Sequence, residues 1–287
     1  FEGDNRNRHQ MLHLVMMCFF FISGMTGLIY EILWTRMIVV IIGNAPFAIS
    51  IVLTVFMGGL GLGSFLAGRY VSRLKTTGDL LKAYGILELI VGAYGLMLPG
   101  LLVLFKPLYA AFYNSLFRHF LVYNLVTFLC CSLLLILPVT CMGATLPVLS
   151  RFFVTRLSRI GASLGRLYSM NTIGGALGSL LCGFWIVSIW GVWGSLVFAV
   201  LLNAFIGLSS IYLGSRNEPG GGSILKSNAP PDIGRQERDR VEGIAALCVF
   251  AVSGFCSMAY EVIWTKLMGL IIGPTIYSFT IVLVSFI

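Results

Sequence analysis

Charged side chains are scarce in this sequence. Only 10% of its 287 residues are Asp, Glu, Lys or Arg, whereas 58% are hydrophobic and the mean hydropathy is +0.94. Soluble domains carry about 25% charged residues, so this composition excludes an ordinary soluble fold. We expect the chain to lie in a lipid bilayer, the partner that so apolar a surface requires.

Arrangements of residues that could bind a metal or form a catalytic site are also missing from the sequence. The three His residues do not combine with clustered carboxylates, and all seven Cys residues lie in apolar runs without a C-x-x-C pair. A structural zinc site needs about four such ligands at short spacings. No Ser-His-Asp or Cys-His arrangement can be assembled in the polar segments. The sequence therefore predicts no metal site, no catalytic residues and no cofactor for this stretch of chain.

The hydrophobic residues form long runs. A helix needs about 20 residues to cross a hydrocarbon core of about 30 Å. Strands of a membrane barrel would be about 10 residues long and alternate in polarity, so we predict an all-α polytopic membrane protein. The runs cover residues 11–33, 46–68, 80–104, 120–147, 167–189, 191–213, 244–264 and 274–287.

A segment of 40 residues occurs twice. Residues 18–57 return as residues 248–287, with 15 of the 40 aligned positions identical. The shared pattern S-G-x5-Y-E-x2-W-T-[RK] is not one that apolar composition alone would produce. We predict a six-helix facilitator-like repeat and the truncated first two helices of a second, parallel repeat. The motif residues are Tyr30, Glu31, Trp34 and Thr35 in the first copy and Tyr260, Glu261, Trp264 and Thr265 in the second.

A polar segment separates the two copies. Residues 214–243 are rich in Gly, Pro, Ser and charged residues, a composition that buries too little apolar surface to fold. We expect a cytoplasmic tail at 1–10, a first membrane repeat at 11–213, a flexible linker at 214–243 and the second repeat from 244 to 287. Two repeats that enter the membrane in the same direction are typical of facilitator-type transporters. An old duplication that only scaffolds another function is an equal alternative.

The positive charges predict the orientation. With the N-terminus in the cytoplasm, 15 of the 19 Lys and Arg residues fall on the inner side, as the positive-inside rule requires. The net charge of +8 is therefore a sign of topology. We do not predict nucleic-acid binding, and the sequence favours no particular oligomeric state.

Small residues recur at a spacing of four in two of the apolar runs. Gly59 and Gly63 form one stripe, and Gly174 and Gly178 form another. Such stripes let helix backbones approach closely in lipid, and we interpret both as packing surfaces. The stretch GLGLGS at 59–64 lacks the third glycine of a dinucleotide-binding loop and follows no strand, so we reject that interpretation.

Three carboxylates lie within or at the edge of the apolar runs, namely Glu31, Glu88 and Glu261. An ionisable residue in a membrane span marks a functional site by default, so we treat them as a candidate cation or proton site. A buried Glu88 would either take up a proton or cation or accept a hydrogen bond from a neighbouring helix.

Two interpretations of Glu31 and Glu261 stay open. In the first, each acid is solvated at the outer interface or pairs with the Thr, Arg or Lys that follows it, while the neighbouring Tyr and Trp anchor the interface. In the second, the two acids face each other around a central cavity and hold a cationic solute or a proton. The residues that would pair with the acids are Thr35, Arg36, Thr265 and Lys266.

Four motifs together resemble one known family. SGMTGLIYEILWTR at 23–36, FMGGLGLGSFLAGR at 56–69, MGATLPVLSR at 142–151 and GRLYSMNTIGGALGSLLCGF at 165–184 are similar to the membrane region of the fused spermidine-synthase-like membrane proteins of bacteria. The resemblance implies a facilitator-like module in the bacterial inner membrane. It also implies a C-terminal domain, beyond these residues, that resembles aminopropyltransferases and uses decarboxylated S-adenosylmethionine.

Three functions follow from these observations. The chain is expected to be the membrane module of such a fusion protein, which anchors the transferase-like domain and moves polyamines. The first alternative is a stand-alone transporter of a small cationic solute, and the second is a membrane scaffold that transports nothing. Asn171, in the last of the four motifs, is expected to form a hydrogen bond between helices.

Overall fold

The computed structural model of the chain describes residues 2–43, 45–153, 160–216, 233–273 and 275–287. These residues form eight α-helices and contain no β-strand, which confirms the all-α prediction. The helices are α1 (Glu2–Ile42), α2 (Ala45–Tyr70), α3 (Thr77–Leu116), α4 (Phe120–Phe153), α5 (Ile160–Leu181), α6 (Val187–Arg216), α7 (Ile233–Ile271) and α8 (Ile276–Phe286).

The helices are those of a multi-pass membrane protein. Six helical stretches of the described chain are long and apolar enough to cross a bilayer. The outer surface of the bundle is apolar as well, since Leu104, Leu121 and Leu133 are 74%, 81% and 74% exposed. A soluble protein rarely exposes so many large hydrophobic side chains.

The helices extend further than the apolar runs predict. α1 begins at Glu2, inside the predicted tail, and continues to Ile42, well past the predicted end at residue 33. α6 reaches Arg216 and α7 begins at Ile233, so both ends of the predicted linker are helical. Arg, Gln and Glu are good helix formers, which explains why polar residues do not end these helices. Residues 217–232 of the linker lie outside the described residues.

Gly191 produces a kink inside α6. The apolar stretch Gly161–Arg216 has 56 residues, far more than the roughly 20 that one crossing needs, and it includes a π-helix at Cys182–Ile186. Gly191 has φ 67° and ψ −173°, a left-handed φ that glycine adopts without the steric cost of a Cβ atom. The kink lies at the first residue of the predicted run 191–213.

Contacts between α1 and α5 show that these helices run in the same direction. Asn171 Nδ2 donates a hydrogen bond to the carbonyl oxygen of Phe20 at 3.1 Å, which confirms the predicted interhelical bond. Further along both helices, Gly174 lies against the Phe21 backbone and Gly178 lies against Met25. α5 therefore follows α1 closely, with no side chain to separate the backbones.

α6 runs antiparallel to α3. Asn203 of α6 contacts Glu88 of α3, whereas Gly214, near the end of α6, lies against Gly78 at the start of α3. α3 also runs antiparallel to α4. Tyr94 of α3 donates a hydrogen bond to the Leu134 carbonyl of α4 at 2.8 Å, and residues later in α3 contact residues earlier in α4. The first six helices thus alternate in direction, as a chain that crosses a membrane repeatedly must.

The glycine stripe of α2 lies against α4. Gly59 faces Val139, and Gly63 faces the backbone of Thr140. Ser64 Oγ donates to the Gly143 carbonyl oxygen at 2.9 Å. A side chain at Gly63 would overlap the Thr140 carbonyl, so the close approach of these two helices depends on glycine.

Candidate functional site

Glu31 and Glu261 lie inside the protein. Glu31 is 1% exposed and Glu261 is 5% exposed. Because α1 and α7 continue for more than two turns beyond these residues, neither acid stands at the end of its helix. The interpretation that solvates both acids at an outer interface is therefore wrong, since it assumed that the helices end soon after the motif.

The two carboxylates lack the partners that the sequence offered. Both oxygens of Glu31 and Oε1 of Glu261 have no hydrogen-bond partner among the described residues. Thr265 Oγ1 donates to the backbone carbonyl of Glu261 at 2.8 Å and not to its carboxylate. The Thr35 hydroxyl has no partner within the described chain. The predicted pairing of each acid with the Thr that follows it is thus absent.

The two acids come from equivalent positions of the repeated motif, and the charge of Glu261 acts on the carboxyl group of Glu31. Two like charges in a low-dielectric interior repel strongly, and burial without hydrogen bonds adds a desolvation penalty. A proton or a cation held between the two carboxylates would remove the repulsion.

The aromatic residues of the motif differ between the two copies. Tyr30 and Trp34 are fully buried and stack on each other with ring centroids 5.1 Å apart. The Tyr30 ring lies against Gly95 of α3. Tyr30 and Trp34 are therefore not interface anchors, because α1 is surrounded by other helices. Tyr260 and Trp264 are 59% and 48% exposed, and their role as anchors stays a prediction.

Glu88 has the partners that Glu31 lacks. Ser23 Oγ of α1 donates to Glu88 Oε1 at 2.5 Å, and Asn203 Nδ2 of α6 donates to Glu88 Oε2 at 2.9 Å. Tyr84, one turn earlier on α3, is also buried and interacts with the charge of Glu88. The Glu88 carboxylate therefore joins α1, α3 and α6, which is the hydrogen-bonded alternative considered for this residue.

The structure does not bring all three acids together. Ser23 and Glu31 are eight residues apart on α1, about 12 Å along the helix axis. The space beside Glu88 is a cavity of about 10 Å³, which is room for one water molecule at most. Glu88 is thus enclosed at a separate level of the bundle. Glu31 and Glu261, here called the acid pair, are linked by an electrostatic interaction.

Sequence reasoning missed Ser23 and Asn203 as the partners of Glu88. Asn203 is a lone amide in an apolar run, and Ser23 is the first residue of the repeated motif. Both signals are visible in the sequence. Nothing in the sequence, however, states that α6 packs against α3 at this level, so the pairing itself required the structure.

A large cleft opens beyond the acid pair. Its volume is about 770 Å³, and it lies between the C-terminal parts of α1 and α7 and the first turns of α2 and α8. Thr35 and Thr265 line this cleft. Each stands one turn, about 6 Å, beyond the acid of its own helix. Glu31 and Glu261 themselves are not among the lining residues, so they lie beneath the wall of the cleft.

Comparison with known proteins adds no assignment to this geometry. No model of a protein family, no curated protein and no solved structure matches the chain. The described residues contain no group of three or more His, Cys, Asp and Glu residues that could hold a metal ion. The acid pair, the cleft and the sequence motifs are therefore the features of this chain that bear on its function.

Proposed function

We propose that this chain is the membrane module of a spermidine-synthase-like fusion protein and that it moves polyamines or similar small cations by way of Glu31 and Glu261. The observation that carries the proposal is the acid pair. Two buried carboxylates from equivalent positions of two copies of one motif lie beside a cleft of about 770 Å³. Both oxygens of Glu31 and Oε1 of Glu261 have no hydrogen-bond partner among the described residues.

The free-energy cost of burying two carboxylates supports a role of these residues in binding. A carboxylate buried in the membrane without a partner is expensive, and such residues face ion or substrate pathways when they occur. A purely structural site would resemble Glu88, whose carboxylate receives hydrogen bonds from Ser23 and Asn203. The free oxygens of Glu31 are instead available to a ligand.

The negative charge of the two acids and the resemblance to spermidine-synthase-like proteins together indicate the class of solute. Two carboxylates complement a ligand with ammonium groups, because each ammonium donates charge-assisted hydrogen bonds. Polyamines are the cations that the resemblance to spermidine-synthase-like fusion proteins suggests. A monovalent cation or a proton that occupies the same pair is the alternative, and it fits the stand-alone transporter.

Uptake into proteoliposomes tests the transport proposal. The purified chain is reconstituted, and entry of labelled spermidine and putrescine is compared for the wild type and the Glu31→Gln/Glu261→Gln variant. We expect the double amide variant to lose at least about 90% of the uptake, since one charged hydrogen bond is worth 1.5–3 kcal/mol. Asp79→Asn is the control, because Asp79 is exposed and caps α3 far from the cleft.

Two results would contradict the transport proposal. One is uptake by the double amide variant at the rate of the wild type. The other is wild-type uptake no faster than in protein-free liposomes for every polyamine tested, which would favour the scaffold.

The anchoring role has a separate test. Sequencing the gene past the codon for Ile287 shows whether a Gly-rich strand-to-helix turn and a set of acidic residues follow, as a nucleoside-binding transferase domain requires. Such a domain would support the fusion protein. A stop codon soon after the membrane helices would leave a transporter without a transferase.

A further inference from the structure

The wall of the cleft carries two cations from equivalent positions of the repeated motif. Arg36 of α1 follows Thr35, and Lys266 of α7 follows Thr265. Both basic residues line the same cavity, and both are exposed. Within the described part of the chain, no hydrogen bond or ion pair engages either charged group. Their charges are therefore available to a ligand in the cleft.

No carboxylate neutralises these charges inside the cleft. Its lining contains neither Asp nor Glu, and its other polar side chains are hydroxyls of Thr and Ser together with Tyr277. Tyr277 and Ser188 are 3.4 Å apart, oxygen to oxygen, at the side of the cavity that follows the π-helix Cys182–Ile186. Hydroxyl, guanidinium and ammonium groups all donate hydrogen bonds to anions.

The rest of the lining is apolar. Ile32 and Val39 of α1 and Val262 and Leu270 of α7 form the walls between the polar groups. Small-molecule sites in proteins are typically cavities of about 300–1,000 Å³, mostly apolar, with a few placed polar groups. The volume of about 770 Å³ falls in that range. The π-helix beside the cleft agrees with this, since π-helical turns occur often at functional sites.

We propose that the cleft is a binding site for a small organic anion. The carboxylate or sulfonate of this anion lies between Arg36 and Lys266, and the apolar part of the anion lies along the walls formed by α1 and α7. The site is distinct from the Glu31–Glu261 pair and does not rest on cation transport. Arg36 and Lys266 would repel a cationic solute that enters the cleft. A bound anion would offset this repulsion.

Equilibrium binding of a fluorescent amphiphilic anion tests this site. The full chain is placed in nanodiscs of zwitterionic phosphatidylcholine and titrated with anilinonaphthalene sulfonate. Phenylnaphthylamine, which has the same ring system without the sulfonate, is the matched probe. We expect saturable binding of the sulfonate to the wild type and an affinity at least about 10-fold lower in the Arg36→Gln/Lys266→Gln variant, because the charged hydrogen bonds to the sulfonate are lost. Affinity for phenylnaphthylamine should change by less than about 2-fold, because no charge contributes to it.

Two control variants show whether a loss of sulfonate affinity is specific to the positive charges in the cleft. Arg36→Lys keeps the positive charge and should retain most of the sulfonate affinity. Lys106→Gln removes an exposed cation that lies outside the cleft and should have no effect. Both substitutions are at exposed positions, so neither should prevent folding.

Three outcomes would overturn the proposal. The first is unchanged sulfonate binding in the double variant, and the second is an equal loss of both probes. The third concerns the bilayer as the source of the anion. If phosphatidylglycerol in the nanodisc displaces the sulfonate, and Arg36→Gln/Lys266→Gln abolishes that displacement, the two cations hold a lipid head group and not a soluble anion.

Discussion

The carboxylate of Glu88 on α3 accepts a hydrogen bond from Nδ2 of Asn203 on α6 at 2.9 Å. Its other oxygen accepts one from Ser23 of α1 at 2.5 Å, so a single side chain connects three helices. Glu31 is equally buried, yet neither of its oxygens has a partner among the described residues. Glu88 therefore connects three helices, whereas the Glu31 carboxylate makes no such connection within the described chain.

Asn203→Leu should destabilise the protein. The substitution leaves Glu88 Oε2 without its donor in a buried environment, and an unsatisfied buried polar group costs about 1–3 kcal/mol. Thermal unfolding of the purified protein in detergent measures the change. Ser215→Ala is the matched control on the same helix, because Ser215 is exposed and its hydroxyl donates to the backbone carbonyl of Ile211 one turn earlier. This change should cost less than about 0.5 kcal/mol. Equal stability of the two variants would show that Glu88 does not depend on Asn203.

Gly63→Ala should weaken the packing of α2 on α4. The added Cβ atom would overlap the carbonyl oxygen of Thr140, and overpacking of this kind typically costs about 1–3 kcal/mol. Gly61→Ala is the control two residues earlier, where a Cβ atom meets nothing within 4 Å. That change should be neutral or stabilising by up to about 1 kcal/mol, the difference in helix propensity between Gly and Ala. If both variants unfold at the same temperature, the close approach of these helices is not what stabilises them.

Glu31→Gln and Glu261→Gln should be coupled in their effect on stability. Either substitution alone already removes the repulsion between the two buried charges. A single substitution should therefore stabilise the fold, and the second substitution should add less stability than the first. Residues that interact directly show coupling energies of about 0.5–3 kcal/mol in a double-mutant cycle. The cycle is measured by thermal unfolding of the wild type, both single variants and the double variant. Strictly additive effects would mean that the two carboxylates do not interact in the folded protein.

Much of the fold follows directly from the sequence. The apolar runs predict long membrane helices, and the predicted start of the sixth run coincides with the kink at Gly191. The ends of the helices are less predictable, because charged residues such as Arg36 interrupt the hydropathy without interrupting the helix. α1 continues for another turn and a half beyond Arg36 to Ile42, since the residues that follow are again apolar and form helix well.

The candidate site is predictable only in part. The repeat identifies Glu31 and Glu261 as equivalent residues, and their occurrence in apolar runs marks them as functional candidates. Burial is a property of packing, however, and depends on which helices surround α1. For the same reason Tyr30 and Trp34 are core residues, although their sequence resembles that of interface anchors. The cleft with Arg36 and Lys266 in its wall likewise arises only when α7 lies opposite α1.

Measuring the affinity for a polyamine tests most directly the central claim that Glu31 and Glu261 form a cation site. Spermidine is titrated into the wild type and into Glu31→Gln/Glu261→Gln by isothermal calorimetry, with both proteins in zwitterionic nanodiscs and shown to unfold cooperatively. We predict saturable binding to the wild type and an affinity lower by about 10-fold or more in the variant, which follows from the loss of charged hydrogen bonds. Equal affinity in the two proteins, or no binding to the wild type, would contradict the account.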